Sequence, residues 1–323
     1  MTWRELLDAA VEKLSQAGIS EAHIDAWQLF SENFSMSRAA YFLKRDEVIP
    51  GSDCLCAGDL FTADISSMEI ETKNAWMIGE IAGFVRCIKL RSERIPLQQI
   101  THHQEFMGLD FLVNEHVLIP RQDTECLVET VLEDLKRRQG EWDITDGPEG
   151  ERKVLRILDM CAGSGCIGIS LERLSPVPVK VLGADVSEDA LKVAKENGDR
   201  LGCDRYQTVK TDLFERIEGL FEMIVSNPPY IPSEVIETLD SEVKDHEPRL
   251  ALDGEADVLA FYRRIAREAA KYLTSDGRIY LEIGYDQGKS VSALLCEAGF
   301  SEVKVIRDLA GLDRVVSAAR RNA

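Results

Sequence analysis

Residues 154–160, Val-Leu-Arg-Ile-Leu-Asp-Met, run straight into Cys161-Ala162-Gly163-Ser164-Gly165-Cys166-Ile167-Gly168. The apolar run reads as a buried strand, and the periodic segment 167–174 as a helix. The glycines fall at the crossover between them, where the backbone must turn tightly and a ligand can approach it. The pattern then repeats. Strands are expected at 179–185, 206–209, 221–225 and 278–283. Helices are expected at 187–201, 256–273 and 289–298. Such alternation means a parallel sheet covered by helices on both faces, an α/β fold. Two last strands, 303–306 and 314–318, are separated by a few residues around Gly311. A parallel crossover needs a dozen or more, so this pair must be antiparallel.

Upstream the character differs. Residues 1–92 read as a small helical bundle. Thr2 and Glu5 form a capping box, and Trp3, Leu6, Leu7, Ala10, Val11 and Leu14 share one helical face. Gly18 ends that helix, Ser20 is placed to cap a second, and Ser37 a third. An irregular stretch, 52–67, precedes a long helix from Glu69 to Arg94. The aromatic stripe of Trp27, Phe30 and Phe34 reads as core. Residues 93–120 form a connector, in which 105–113 alternates around Gly108 as a β-hairpin. Residues 117–121 read as a short strand, with Asp123 or Thr124 capping the next helix. Residues 139–153 read as a polar loop. The domain at 121–323 carries the alternating pattern, and a bundle attached to it suits binding a macromolecular partner.

The 323 residues carry a formal charge of −19, which argues against a dedicated nucleic-acid or anionic-membrane binder. A 45% apolar content is ample for two cores. Eight cysteines show no Cys-x-x-Cys pair, and five histidines show no ligand spacing. A reducing compartment and no metal are expected. Residues 1–14 include Glu5, Asp8 and Glu12 without an apolar core, and no run is long enough to span a bilayer. The expectation is a cytoplasmic monomer with no membrane and no stable nucleic-acid partner.

Four strand ends carry the chemistry. Gly163, Gly165 and Gly168 spell G-x-G-x-x-G, and Asp185 ends the next strand where a carboxylate could accept both hydroxyls of a ribose. A dinucleotide or an adenosyl sulfonium would fit so far. Asp159 favours the second, because a carboxylate repels a pyrophosphate and attracts the ammonium or sulfonium of S-adenosylmethionine. The loop residues Cys161, Ala162, Gly163, Ser164 and Gly165, with Asp159 and Asp185, are the candidate cofactor contacts. Thr211-Asp212-Leu213-Phe214 follows the third strand; Asp212 could take an adenine amino group while Leu213 or Phe214 covers the ring. After the fourth strand comes Ser226-Asn227-Pro228-Pro229-Tyr230-Ile231. Two prolines stop the strand and stiffen the corner. The Asn227 amide oxygen and the Pro228 carbonyl are two fixed acceptors beside an aromatic ring, suited to a planar NH2 group. In such sheets these carboxyl ends converge on one crevice.

Asn-Pro-Pro-Tyr after this glycine-rich crossover resembles the amino-group methyltransferases. The residues Pro96-Leu97-Gln98-Gln99-Ile100, Leu118-Ile119-Pro120-Arg121-Gln122-Asp123-Thr124-Glu125, Glu247-Pro248-Arg249-Leu250-Ala251-Leu252 and Leu281-Glu282-Ile283-Gly284 narrow it. Together with the Asn227 corner they resemble the bacterial peptide chain release factor glutamine methyltransferases over nearly the whole chain. Gln122 stands where that family usually has Pro, and Cys161 and Ala162 where it commonly has Gly and Thr. The resemblance implies a Rossmann-like class I methyltransferase sheet and S-adenosylmethionine as methyl donor. It implies methylation of the glutamine side-chain nitrogen in the Gly-Gly-Gln loop of class I release factors. Asn227, Pro228 and Tyr230 would be catalytic, and Pro229 would join them in holding the substrate. A DNA adenine-N6 methyltransferase could use the same corner but would need a basic face. A non-catalytic adaptor sits badly with an intact corner, and an NAD-dependent enzyme with Asp159.

Overall fold

The computed structural model describes residues 1–52, 56–57, 60–61, 75–142 and 154–321. Its contacts divide the chain into two units. One is Met1–His102 with Ser241–His246, and the other is His103–Asp240 with Glu247–Ala323.

In the first unit the capping box forms as expected. Glu5 N donates to Thr2 Oγ1 at 3.2 Å, and Thr2 N donates back to Glu5 Oε2 at 2.7 Å. Helix α1 (Trp3–Gln16) buries Trp3, Leu6, Leu7, Ala10 and Leu14. Helix α2 (Ala22–Asn33) starts after Glu21 with no side-chain cap, so Ser20 does not cap it. Ser37 does cap α3 (Arg38–Lys44), accepting from Ala40 N. Helix α4 (Ala75–Ser92) contributes Ile78, Ile81, Phe84, Val85 and Ile88 to the core. The expected start of that helix at Glu69, and most of 52–67, lie outside the described residues. The aromatic stripe is core. Phe30 is fully buried, with rings of Trp3, Trp27, Phe34, Tyr41 and Phe84 between 4.9 and 5.9 Å from it. Such edge and offset contacts add to plain area burial.

The second unit opens with the hairpin β1 (His103–Phe106) and β2 (Leu109–Leu112), paired antiparallel. Met107 and Gly108 both take positive φ, 54° and 71°, as a tight two-residue hairpin turn requires. Residues 117–121 are not a strand. The Ile119 N–H there is taken by a side chain, Glu247 Oε2 at 3.1 Å, instead of a ladder partner. Helix α5 (Gln122–Arg137) follows, with Arg121 as N-cap and Asp123 and Thr124 inside its first turn. Residues 139–142, expected as loop, form a helical turn, and 143–153 lie outside the described residues.

The main sheet then builds up. Its first elements are β3 (Leu155–Met160), α6 (Cys166–Leu174), β4 (Val179–Asp185), α7 (Glu188–Arg200) and β5 (Tyr206–Lys210). After these come β6 (Phe221–Ser226), α8 (Ala260–Tyr272), β7 (Leu273–Glu282), α9 (Gly288–Glu297), β8 (Ser301–Arg307) and β9 (Asp313–Ala319). The strand order is β5-β4-β3-β6-β7-β9-β8. The first five strands of that row are mutually parallel, and β9 is antiparallel to both neighbours. This is the Rossmann-like sheet expected, with its antiparallel last strand. Strands β3 and β6 are buried on both faces. Ile157, Met223 and Val225 meet Leu127, Val131 and Ile167 on one side. Leu158, Met160 and Ile224 meet Tyr262, Ile265 and Val291 on the other. Each fully buried side chain of this kind is worth about 1.5–3 kcal/mol of transfer free energy. Residues 231–255 hold short helical turns at Ser233–Ile236, Ser241–Lys244 and Arg249–Leu252. Helix α8 begins at Ala260, later than residue 256, and β7 begins at Leu273, ahead of residue 278.

Candidate active site

The chain winds outward from β3 to β4 and β5, then returns to place β6 on the other side of β3. Ligand crevices form at such a reversal, beyond the carboxyl ends of the strands. Met160 and Ser226 end β3 and β6 in register, and Ser226 Oγ donates to Met160 O at 2.8 Å. A pocket opens immediately beyond them. Its non-atom space, with the open mouth included, is about 1010 Å³.

Nine sequence-predicted residues line it together: Cys161, Ala162, Gly163, Ser164, Asp185, Asp212, Leu213, Asn227 and Pro229. They come from four strand ends, as the convergence argument required. The loop is set by local bonds. Cys161 takes φ 61° and Gly163 φ 53°. Ala162 N donates to Ala184 O at 3.1 Å. Gly163 N donates to Asp185 Oδ2 at 2.9 Å, and Ser187 N to Asp185 Oδ1 at 2.8 Å. Burial raises the Asp185 carboxyl above its ordinary range, while these amides oppose the shift. Burial also drives the Cys161 thiol far up and Cys166 to about 12, so both are neutral and unreactive.

Asp159, Gly165, Pro228 and Tyr230 are not among the residues that line the pocket. Asp159 is wholly buried and points under α6, where Oδ2 accepts from Gly168 N at 2.9 Å. Burial pushes its carboxyl up to about 7, helped by the nearby charge of Asp185. Gly165 faces Tyr206: a Cβ there would stand 2.8 Å from the phenol oxygen, and φ is 79°. Gly183 is tighter still, at 2.2 Å. These glycines therefore admit a tyrosine beneath the loop. Burial pushes the Tyr230 phenol up to about 12, and its carbonyl accepts from Gln287 Nε2 at 3.3 Å. Asp212 is not free: Arg264 pairs with it at 2.8 Å.

Thr124 and Glu282 entered the sequence reading only within motifs, Thr124 also as a helix cap, and neither as a site residue. Thr124 lines the pocket, and Asn227 Nδ2 donates to its Oγ1 at 3.3 Å. Glu282, at the end of β7, is 1% exposed and pushed by burial to about 7. The strand-end argument that found Asn227 would have found Glu282, one strand over. Arg121, which lines the pocket, is ion-paired to the buried Glu247. Phe261 and Leu250 add apolar wall. Among the described residues no group of His, Cys, Asp and Glu is placed to hold a metal, and no helix is long and apolar enough to cross a membrane.

Comparison with known proteins agrees with this geometry. Residues 150–260 match the family model of the methyltransferase small domain. The release factor glutamine methyltransferase of Agrobacterium fabrum is 35% identical over 315 residues, covering 97% of this chain and 96% of that one. The chain belongs to the release factor glutamine methyltransferase family. A second family member, from Moorella thermoacetica, is 35% identical and covers 99% of both chains. A third, from Clostridium acetobutylicum, is 42% identical over 72% of this chain and 78% of its own. Among solved structures, the catalytic domain of hMettl16 in complex with the MAT2A 3'UTR hairpin 6 overlays with a TM-score of 0.51. It is 17% identical, over 76% of this chain and 82% of that one, and speaks to the fold alone. The Gly163 loop and Asn227 line the same pocket.

Proposed function

We propose that the protein transfers a methyl group from S-adenosylmethionine to the side-chain amide nitrogen of the glutamine in the Gly-Gly-Gln loop of class I peptide chain release factors, in the cytoplasm. The observation that carries this reading is that Asn227 lines one pocket with the Gly163 loop and Asp185. The donor set suits S-adenosylmethionine: a carboxylate at Asp185 for ribose hydroxyls, apolar cover at Leu213 for a base, and no cationic cradle for a pyrophosphate in the glycine loop. Asp159 serves at one remove, holding the Gly168 amide and so the start of α6. When bound, the cofactor supplies an electrophilic methyl group.

The chain's own part is to hold the acceptor nitrogen. An amide nitrogen is a poor nucleophile because its lone pair is delocalised. Asn227 Oδ1 and the Pro228 carbonyl would accept its two N–H bonds and turn the nitrogen toward the donor side. Pro229 keeps the corner rigid, and Tyr230 would flank the amide plane. Rate then comes from orientation and from fixed dipoles as charge develops on nitrogen. The proton can leave after transfer, so no general base is required beforehand. The same reading gives the helical unit, with Phe42 and Leu43 exposed on it, the grip on the body of the release factor.

Labelled methyl transfer from S-adenosylmethionine, with a release factor and duplex DNA offered side by side, tests the proposal. Label is expected in the glutamine of the release factor. Label in the DNA alone would overturn it.

A further inference from the structure

Glu282 closes β7 beside β6. Ser226 pairs with Leu281, so Asn227 and Glu282 follow one another at the same edge. Thr124, in the first turn of α5, completes a trio drawn from three elements. Thr124 is 3% exposed and Glu282 1%. Asn227 Nδ2 donates to Thr124 Oγ1 at 3.3 Å. Thr124 and Asn227 both face the Glu282 carboxyl with hydrogen-bonding groups, and Arg314 adds positive charge nearby. Glu282 Oε2 has no hydrogen-bond partner among the described residues. A buried carboxyl in this state costs stability, yet an apolar residue would fill the same space.

The trio has a direction. When ionised, the Glu282 carboxylate only accepts hydrogen bonds, and a hydroxyl that accepts one hydrogen bond can still donate its own to another group. Asn227 Nδ2 gives to the Thr124 hydroxyl, and the Asn227 NH2 and the Thr124 hydroxyl both face the Glu282 carboxyl as donors. Turning the Asn227 amide over would set Oδ1 against Glu282, oxygen to oxygen, and would take the Thr124 proton away from the carboxylate. Both changes are unfavourable beside a carboxyl that is 1% exposed. The amide is therefore held with its NH2 inward and its oxygen outward.

We propose that Glu282 and Thr124 are positioning residues that lock the Asn227 amide so that only Oδ1 faces the pocket, making the corner a receptor for hydrogen-bond donors and excluding groups that can only accept. The identity of the incoming group, a glutamine amide, rests on the proposed function; the lock itself exists without substrate.

Side-chain amide hydrogen exchange, followed by NMR on the full chain without ligand, reads the lock directly. The Asn227 resonances are identified by their loss in Asn227→Ala. Both protons are expected to exchange slowly in the parent, at least about tenfold faster in Glu282→Gln and in Thr124→Val, and slowly again in Thr124→Ser. In methyl-transfer assays kcat should fall about 100-fold in Glu282→Gln and Thr124→Val, with cofactor Kd within about threefold, and Thr124→Ser should recover most of it. Unchanged exchange in both Glu282→Gln and Thr124→Val would overturn the lock. Slow parent exchange, lost in those variants, in a protein that does not methylate release factors would uphold the lock and remove the substrate reading instead.

Discussion

Asp185 Oδ2 accepts the Gly163 N–H at 2.9 Å, tying the end of β4 to the glycine loop that follows β3. The other oxygen of the same carboxylate takes Ser187 N at 2.8 Å, at the start of α7. One side chain thus shapes the loop and lines the pocket. Hydrogen bonds to a charged group are worth about 1.5–3 kcal/mol each. Asp185→Ala should weaken S-adenosylmethionine binding about 10- to 100-fold in calorimetry, while the far-ultraviolet circular dichroism stays that of the parent. Parent-like affinity would remove Asp185 from the cofactor site.

Asn227 should separate binding from chemistry. Under the proposed function, Asn227→Ala removes an acceptor for the substrate amide and leaves the Gly163 loop untouched. S-adenosylmethionine affinity should stay within about tenfold, or 1.4 kcal/mol. Single-turnover methyl transfer should fall by about 100-fold or more. A variant that turns over like the parent would deny Asn227 its assigned role.

Glu282 and Asp159 make stability depend on pH. Burial lifts both carboxyls to about 7, from ordinary values of 4.5 and 3.8. Each binds its proton more tightly folded than unfolded. Their favourable contribution is fully present below the ordinary values and is lost as pH rises through about 7. The charged groups facing Glu282 include Arg314, which opposes the shift, and Asp123, which adds to it. The Tyr230 and Tyr262 phenols nearby are themselves raised by burial and stay neutral. Glu282→Gln should therefore unfold at higher temperature than the parent near about pH 8, by about 1–3 kcal/mol, and equally with it near about pH 4. A stabilised but slower enzyme is the expected signature of a functional buried charge. A melting temperature lowered near about pH 8 would contradict this.

In the helical unit Arg91 holds two carboxylates. Its Nε lies 2.6 Å from Asp25 Oδ2 and its Nη1 3.0 Å from Glu242 Oε1, with Arg91 8% and Asp25 6% exposed. Removing one partner of a buried pair strands the other charge, at about 3–5 kcal/mol. Arg91→Ala should lower the denaturation midpoint of the full chain accordingly. Arg91→Ala with Asp25→Asn should recover part of the loss. A double variant no more stable than Arg91→Ala would mean that Asp25 is not stranded.

Tyr206 buries its phenol oxygen with no hydrogen-bond partner among the described residues. An unsatisfied polar group of this kind costs about 1–3 kcal/mol. Tyr206→Phe should raise the melting temperature, since the ring that fills the space beneath Gly165 and Gly183 is kept. A lowered melting temperature would show that the hydroxyl has a partner after all.

Periodicity made the strands, most helices and the β1–β2 hairpin legible, because apolar spacing depends only on which face is buried. Element starts were less legible. Thr124 reads as a cap by its chemistry, yet its hydroxyl meets Asn227, 103 residues away. Residues 117–121 read as a strand by composition, yet Glu247 takes the Ile119 N–H and no ladder forms. A side chain of distant origin decided both.

The sequence by itself determined the order of strands and helices, the tight crossover at Gly163 and the rigid acceptor corner at Asn227. Each follows from local backbone preferences and from which residues must leave water. Only the tertiary structure decided what meets there. Sheet order sets β7 beside β6 and so brings Glu282 to Asn227. Packing of α8 brings Arg264 to Asp212. Dense packing of Tyr206 turns Gly165 away from the pocket, and burial turns Asp159 beneath α6. Contacts of this range depend on strand neighbours and side-chain volumes, and spacing along the chain encodes neither.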